Sequence, residues 1–128
     1  MSDLEVVREI YVAMAAGDVE RLFELLDSSC TITQDDRLPW GGRHLGHDGF
    51  AAFGLALRGR IASAVEHMAM FEADGDVIQV GRTRGVVRAT GTPFDVPEVH
   101  RWTIREGRAV AMHLSIDTPS MVTALTTG

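Results

Sequence analysis

The first sixty residues carry apolar positions at helical spacing. Leu4, Val7, Tyr11 and Met14 recur every three or four residues, the mark of one buried helical face. Ser2 with Glu5 three residues later reads as a capping box, so the pattern predicts a helix over about residues 3–16. Gly17 supplies a left-handed stop and Asp18 a fresh N-cap. Val19, Leu22, Phe23 and Leu26 then mark a second amphipathic helix. Residues 30–34 are short and β-branched and predict a strand, while residues 35–46, with Pro39 and three glycines, read as a loop. Asp48 caps a predicted third helix in which Phe50, Phe53 and Leu57 fall on one side.

From about residue 62 the period changes. Long extended runs follow one another, separated by the turn signals Gly75-Asp76, Gly91-Thr92-Pro93 and Glu106-Gly107, which predict four antiparallel strands. Strands of about ten residues exceed the usual length and bend into a half-barrel rather than lie flat. Gly81 and Gly85 are natural bending points. Asp117-Thr118-Pro119 starts a short last helix carrying Met121, Val122 and Leu125. Helices first and strands afterwards, without βαβ alternation, predict an α+β domain. The expected form is a cone-shaped half-barrel of strongly curved, mainly antiparallel sheet, with three N-terminal helices and a short C-terminal helix enclosing a pocket. Residues 1–128 read as a single domain, with no repeat or linker.

Composition narrows the partners. A net charge of −6, from 12 Lys and Arg against 18 Asp and Glu, repels phosphate backbones and anionic membrane surfaces, so neither nucleic acid nor membrane is an expected partner. Cys30 is alone, which excludes an internal disulfide and paired-cysteine metal ligation. The acidic, mixed N-terminus does not resemble a secretory signal and no apolar run is long enough to span a bilayer, so a cytoplasmic location is expected. His44 and His47 lie three residues apart in a loop, a spacing too weak to predict a metal site. Neither a metal nor a cofactor is expected.

The segments YVAMAAGDVERLFELL, LPWGGRHLGHDGFAAF, EADGDVIQVG, VHRWTIREGR and IDTPSMVTAL, in this order, resemble the SnoaL-like members of the nuclear transport factor 2-like superfamily over nearly the whole chain. The resemblance implies the fold and a pocket, while chemistry varies among such folds. Laid on ketosteroid isomerases through the shared AGD turn, the tyrosine position falls on Ile10 and the base position on Gln34. Tyr11 and Asp35 are the next residues along, but one step on a helix turns a side chain by roughly 100°, so those roles are not carried over. The enolate-donating acid falls on Val99 or, with a turn one residue shorter, on His100. Strand alternation favours His100, because Glu98, His100, Trp102 and Ile104 make an apolar face with an ionisable centre. The arginine–aspartate pair of limonene epoxide hydrolases is matched by Arg82-Thr83-Arg84, in which only the arginine survives. Leu114 stands where those enzymes and SnoaL-like cyclases carry an aspartate. Asp117 reads as a helix cap.

Two readings follow. In one, an apolar pocket accepts a small carbonyl-bearing or polyketide-like metabolite, with His100 as the proton carrier of an isomerase or cyclase that needs no cofactor. In this reading Arg82 or Arg84 fixes a polar end, Glu98 flanks the imidazole, and Trp40, Trp102, Met112, Leu114 and Ile116 line the walls. In the other, the chain is a non-catalytic small-molecule-binding or dimerisation module that lacks the family's carboxylates. A rim position is expected for Glu98 beside Pro97, too far along the strand to touch His100. His100 is expected to be neutral at pH 7 through burial. A homodimer through the outer face of the sheet is also expected.

Overall fold

A computed structural model describes residues 1–127. The chain runs α1 (Asp3–Ala16), α2 (Val19–Leu25), β1 (Leu26–Gln34), β2 (Gly42–Leu45), α3 (Gly46–Arg60), β3 (Ile61–Ala73), β4 (Asp76–Val87), β5 (Pro93–Arg105), β6 (Arg108–Ile116) and α4 (Thr118–Thr126). This is an α+β fold in which the helices cover one face of a six-stranded sheet of order β2-β1-β6-β5-β4-β3. Every neighbouring pair is antiparallel except β1 with β6. That parallel pairing needs a long crossover, here everything from β2 to β5.

The caps form where the residue chemistry places them. Ser2 accepts from the Glu5 amide and Gly17 closes α1 at φ 67°. Asp18 and Asp117 accept from the amides three residues on and start α2 and α4. Three boundaries differ from the sequence pattern. Leu26 opens β1 rather than extending α2, because the strand starts four residues earlier and carries a register irregularity between Leu26 and Thr31. The expected loop contains β2, a short edge strand whose backbone pairs with β1 although its side chains show no apolar alternation. α3 begins at Gly46, and Leu45 rather than Asp48 occupies its cap.

Strands β3, β4 and β5 are 13, 12 and 13 residues long. The expected bend at Gly81 coincides with a register shift in β3 between His67 and Ala69, directly across the pairing from it. A side chain at Gly81 would run into the Glu66 carbonyl, so the two backbones approach more closely there than any other residue allows. β5 alternates cleanly, with Phe94, Val96, Glu98, His100, Trp102 and Ile104 inward and buried. The core lies between this concave face and helices α1, α2 and α4.

Candidate functional site

The concave face encloses a cavity of about 480 Å³. Its mouth and sides come from α3 through Phe50, Phe53, Leu57 and Arg58, and its far wall from β6 through Met112, Leu114 and Ile116. Trp40 is held in the wall because its indole Nε1 donates to Gln34 Oε1 at 3.0 Å, and both residues face the cavity. Gln34, Ser63, Thr83 and His100 supply polar groups to a lining that is otherwise largely apolar, and Arg58 is its one formally charged side chain.

His100, not Val99, points inward; Val99 is exposed on the other face. Polar groups stand beside both imidazole nitrogens. Nδ1 lies 2.7 Å from the Tyr11 hydroxyl, which in turn accepts from Trp102 Nε1 at 2.9 Å. Nε2 lies 3.0 Å from Glu98 Oε2. That last contact is close in distance but not aligned as a formed hydrogen bond, and both Glu98 oxygens, like both polar atoms of the Gln79 side chain, are buried without a hydrogen-bond partner. Glu98 is 2% exposed and Gln79 fully buried.

Burial dominates the electrostatics. It pushes the Glu98 carboxyl up to about 7, with the neighbouring Gln79 amide working against it. It drives His100 down to about 3, with His67 adding in the same direction. Burial likewise raises Tyr11, against the Trp102 donor. Both members of the Glu98 and His100 contact are thus shifted toward their neutral forms, the behaviour of a desolvated pair rather than of an ion pair.

The expected site residues divide into four groups. Trp40, His100, Met112, Leu114 and Ile116 line the cavity together. Trp102 is buried beneath Tyr11 and holds its hydroxyl rather than facing the cavity. Glu98, expected at a solvated rim and out of reach of His100, is buried and touches it. Strand rise separates the two backbones as expected, but the long Glu98 side chain leans along the strand and spans the gap. Arg82 and Arg84, expected as inward hooks, lie on the opposite face of β4. Arg82 pairs with Asp95 at 2.6 Å, and Arg84 with Asp95 at 3.1 Å and Glu66 at 2.9 Å. The inward member of that triplet is Thr83.

His44 and His47 direct their Nε2 atoms at backbone carbonyls, of Trp40 and Gly41 and of Leu26 respectively, and so brace the loop before α3. Among the described residues no three His, Cys, Asp or Glu side chains gather as a metal site. No helix is long and apolar enough to cross a membrane.

Sequence reasoning weighed Tyr11 and set it aside, and passed over Gln79 and Arg58. Tyr11 belongs to the buried stripe of α1, and its hydroxyl is an obligatory polar group on an apolar face, a signal that a partner must exist. Gln79, alone between Ile78 and Val80 on an inward position, carries the same signal.

A family model described as a SnoaL-like domain matches residues 7–112. A search of curated proteins returns no match. Among solved structures, an NTF2-like protein of unknown function from Burkholderia pseudomallei is 26% identical, with 99% of this chain and 100% of that one covered at a TM-score of 0.88. TerC, co-crystallised with polyporic acid, is 20% identical with 99% and 100% covered and a TM-score of 0.87. A candidate polyketide cyclase from Xanthomonas campestris is 16% identical with 97% and 96% covered and a TM-score of 0.82. The last two likenesses are of fold.

Proposed function

The chain belongs to the SnoaL-like domain family, and from that premise we propose that its cavity binds a small, flat, largely apolar molecule bearing a carbonyl group. The cavity itself carries this reading: about 480 Å³, walled by Trp40, Phe53, Leu57, Met112, Leu114 and Ile116, with few polar groups to orient a ligand. The co-crystallisation of TerC with polyporic acid supports a small organic molecule as the class of ligand. The polar end lies toward His100 and Thr83, or toward Arg58 at the mouth.

A second reading, proton transfer on the bound carbonyl compound, is favoured by one observation, the carboxyl of Glu98 within 3.0 Å of His100 Nε2. An acid behind a histidine orients the ring and can share its proton. Isomerisation or aldol-type ring closure suits such a site, since both need a proton moved and an enolate oxygen stabilised.

One probe tests both readings. 2-Acetylnaphthalene is flat, apolar and carries a ketone with an exchangeable methyl group. Binding is read from Trp40 fluorescence, and Leu57→Trp, which fills the cavity without touching the buried polar groups, is expected to weaken binding at least tenfold by a competition assay. Exchange of the methyl protons for deuterium in heavy water, followed by NMR, is expected to run faster with protein than with buffer alone. Absence of binding up to the solubility limit overturns the first reading. Binding without accelerated exchange leaves the binding module and overturns catalysis on ketones.

A further inference from the structure

We infer that Glu98 is a neutral carboxylic acid in the folded protein, set with Gln79 behind a directional hydrogen-bonded chain from Trp102 to Tyr11 to His100 that forms the polar backing of the cavity. The inference deepens the reading of the cavity given above and names the group that sets its charge.

Donor and acceptor bookkeeping gives the direction. The Trp102 indole only donates, and its proton goes to the Tyr11 oxygen at 2.9 Å. The Tyr11 hydroxyl then has one proton to give, and His100 Nδ1 stands 2.7 Å away. With Nδ1 as acceptor, a neutral imidazole carries its hydrogen on Nε2, which faces Glu98 Oε2. On the other side of the carboxyl, the Gln79 amide stands beside Glu98 over Gly81. An amide offers a donor and an acceptor and can turn either toward an acid. The alternative, an imidazolium facing a carboxylate, would make both ring nitrogens donors. The Tyr11 oxygen would then accept twice and its own proton would lose its acceptor.

The surroundings oppose a charge at Glu98. From α1 the only titratable group against the chain is Tyr11. Arg8 lies with it at the outer groove between α1 and β3, and is solvent-exposed. From β3 comes His67, whose exposed ring packs edge-on against Tyr11 at 4.5 Å. β4 contributes Gln79, which is uncharged, and turns Arg82 and Arg84 outward onto Asp95 and Glu66. β6 presents Ile116 across from Glu98, and α4 contains no titratable residue. A buried carboxylate with no cation and no aligned donors is costly, and such a group retains its proton. The upward displacement of Glu98 and the downward displacement of His100 agree with this. Ionisation of Glu98 then places an anion directly behind the polar wall, so a ligand that is anionic, or that develops negative charge on its oxygen, is held best while Glu98 keeps its proton.

The test is an NMR titration of the full chain, uniformly labelled with ¹³C and ¹⁵N and with no ligand present. The expected result is one glutamate side-chain carboxyl with a midpoint near 7, absent in Glu98→Gln, together with a neutral Nε2–H tautomer for His100 through that range. A Glu98 carboxyl titrating in the ordinary acidic range overturns the inference, as does a doubly protonated His100 at neutral pH. The wild-type record decides the matter if Glu98→Gln fails to fold. Because no ligand enters, failure of 2-acetylnaphthalene to bind sinks the proposed function and leaves this titration untouched.

Discussion

At the scale of single residues, His100 holds other groups as much as it faces the cavity. Phenylalanine fits the inward strand position sterically, yet His100→Phe leaves the Tyr11 hydroxyl buried without the ring nitrogen that accepts its proton. Stranded buried polar groups cost about 1–3 kcal/mol apiece. The expected loss is therefore about 1–3 kcal/mol at neutral pH in urea denaturation, larger than strand position alone suggests. The pH dependence follows from the same cluster. Glu98 rises from 4.5 to about 7 on folding, so between those values the folded chain holds a proton that the unfolded chain has lost, and this group makes stability fall as pH rises. His100 falls from 6.5 to about 3, so between those values the unfolded chain holds the extra proton, and this group makes stability rise with pH. The two slopes oppose each other where the windows overlap. Glu98→Gln removes only the first, so the variant should gain on the wild type from pH 4 to pH 8 by on the order of 3 kcal/mol. A stability difference that does not change with pH would contradict this assignment.

At the scale of elements, β5 and β4 carry the site, and a tight crossing fixes their relation. Gly81→Ala drives a methyl group toward the Glu66 carbonyl and the Gln79 and Glu98 side chains, and the expected consequence is a loss of more than about 2 kcal/mol, because backbone on both sides must move. Thermal denaturation checks it; a Tm unchanged within error would mean the sheet is looser there than its register implies. The elements most legible in sequence were those with a strong period. α1 could be bounded from the Ser2 cap, the apolar stripe and Gly17, and β5 from the turn signals on either side, while its alternation selected His100 over Val99. β2 could not be read, since an edge strand is made by backbone pairing and its four side chains carry no pattern. The inward cluster was only half legible. Long-range partnerships such as Tyr11 with His100, 89 residues apart, depend on how the sheet curves beneath α1, and spacing does not encode that. Arg82 and Arg84 were misplaced for a related reason, since charge pattern suggests a hook while strand parity, counted from buried Val77 and Gln79, puts both on the outer face.

At the scale of the whole molecule, the unused surface is the convex face of the sheet. Its outward row pairs Phe71 with Ile78 and Ile78 with Arg101, and the next pairs Val80 with Val99. Phe71 is 46% and Val99 39% exposed. Beside this apolar strip lies the Arg82, Arg84, Asp95 and Glu66 ion-pair cluster, of both signs and solvent-exposed, the composition of a polar rim around an apolar centre. A contiguous apolar strip on a long sheet is the kind of surface that association covers, and a two-fold arrangement would set the strip against itself. The net charge of −6 opposes self-association only weakly at physiological salt, where exposed charges are screened beyond about 8 Å. A homodimer through this face is the expected state at micromolar concentration. Val99→Asp should then convert it to monomer, because the two-fold places a carboxylate near its own copy in a desolvated centre. The concave cavity is walled off from that face by the sheet itself, so the variant should still bind 2-acetylnaphthalene. Light scattering that finds the wild-type chain monomeric would remove the dimer, whereas a monomeric Val99→Asp that has also lost the ligand would mean that the two faces are coupled through β5.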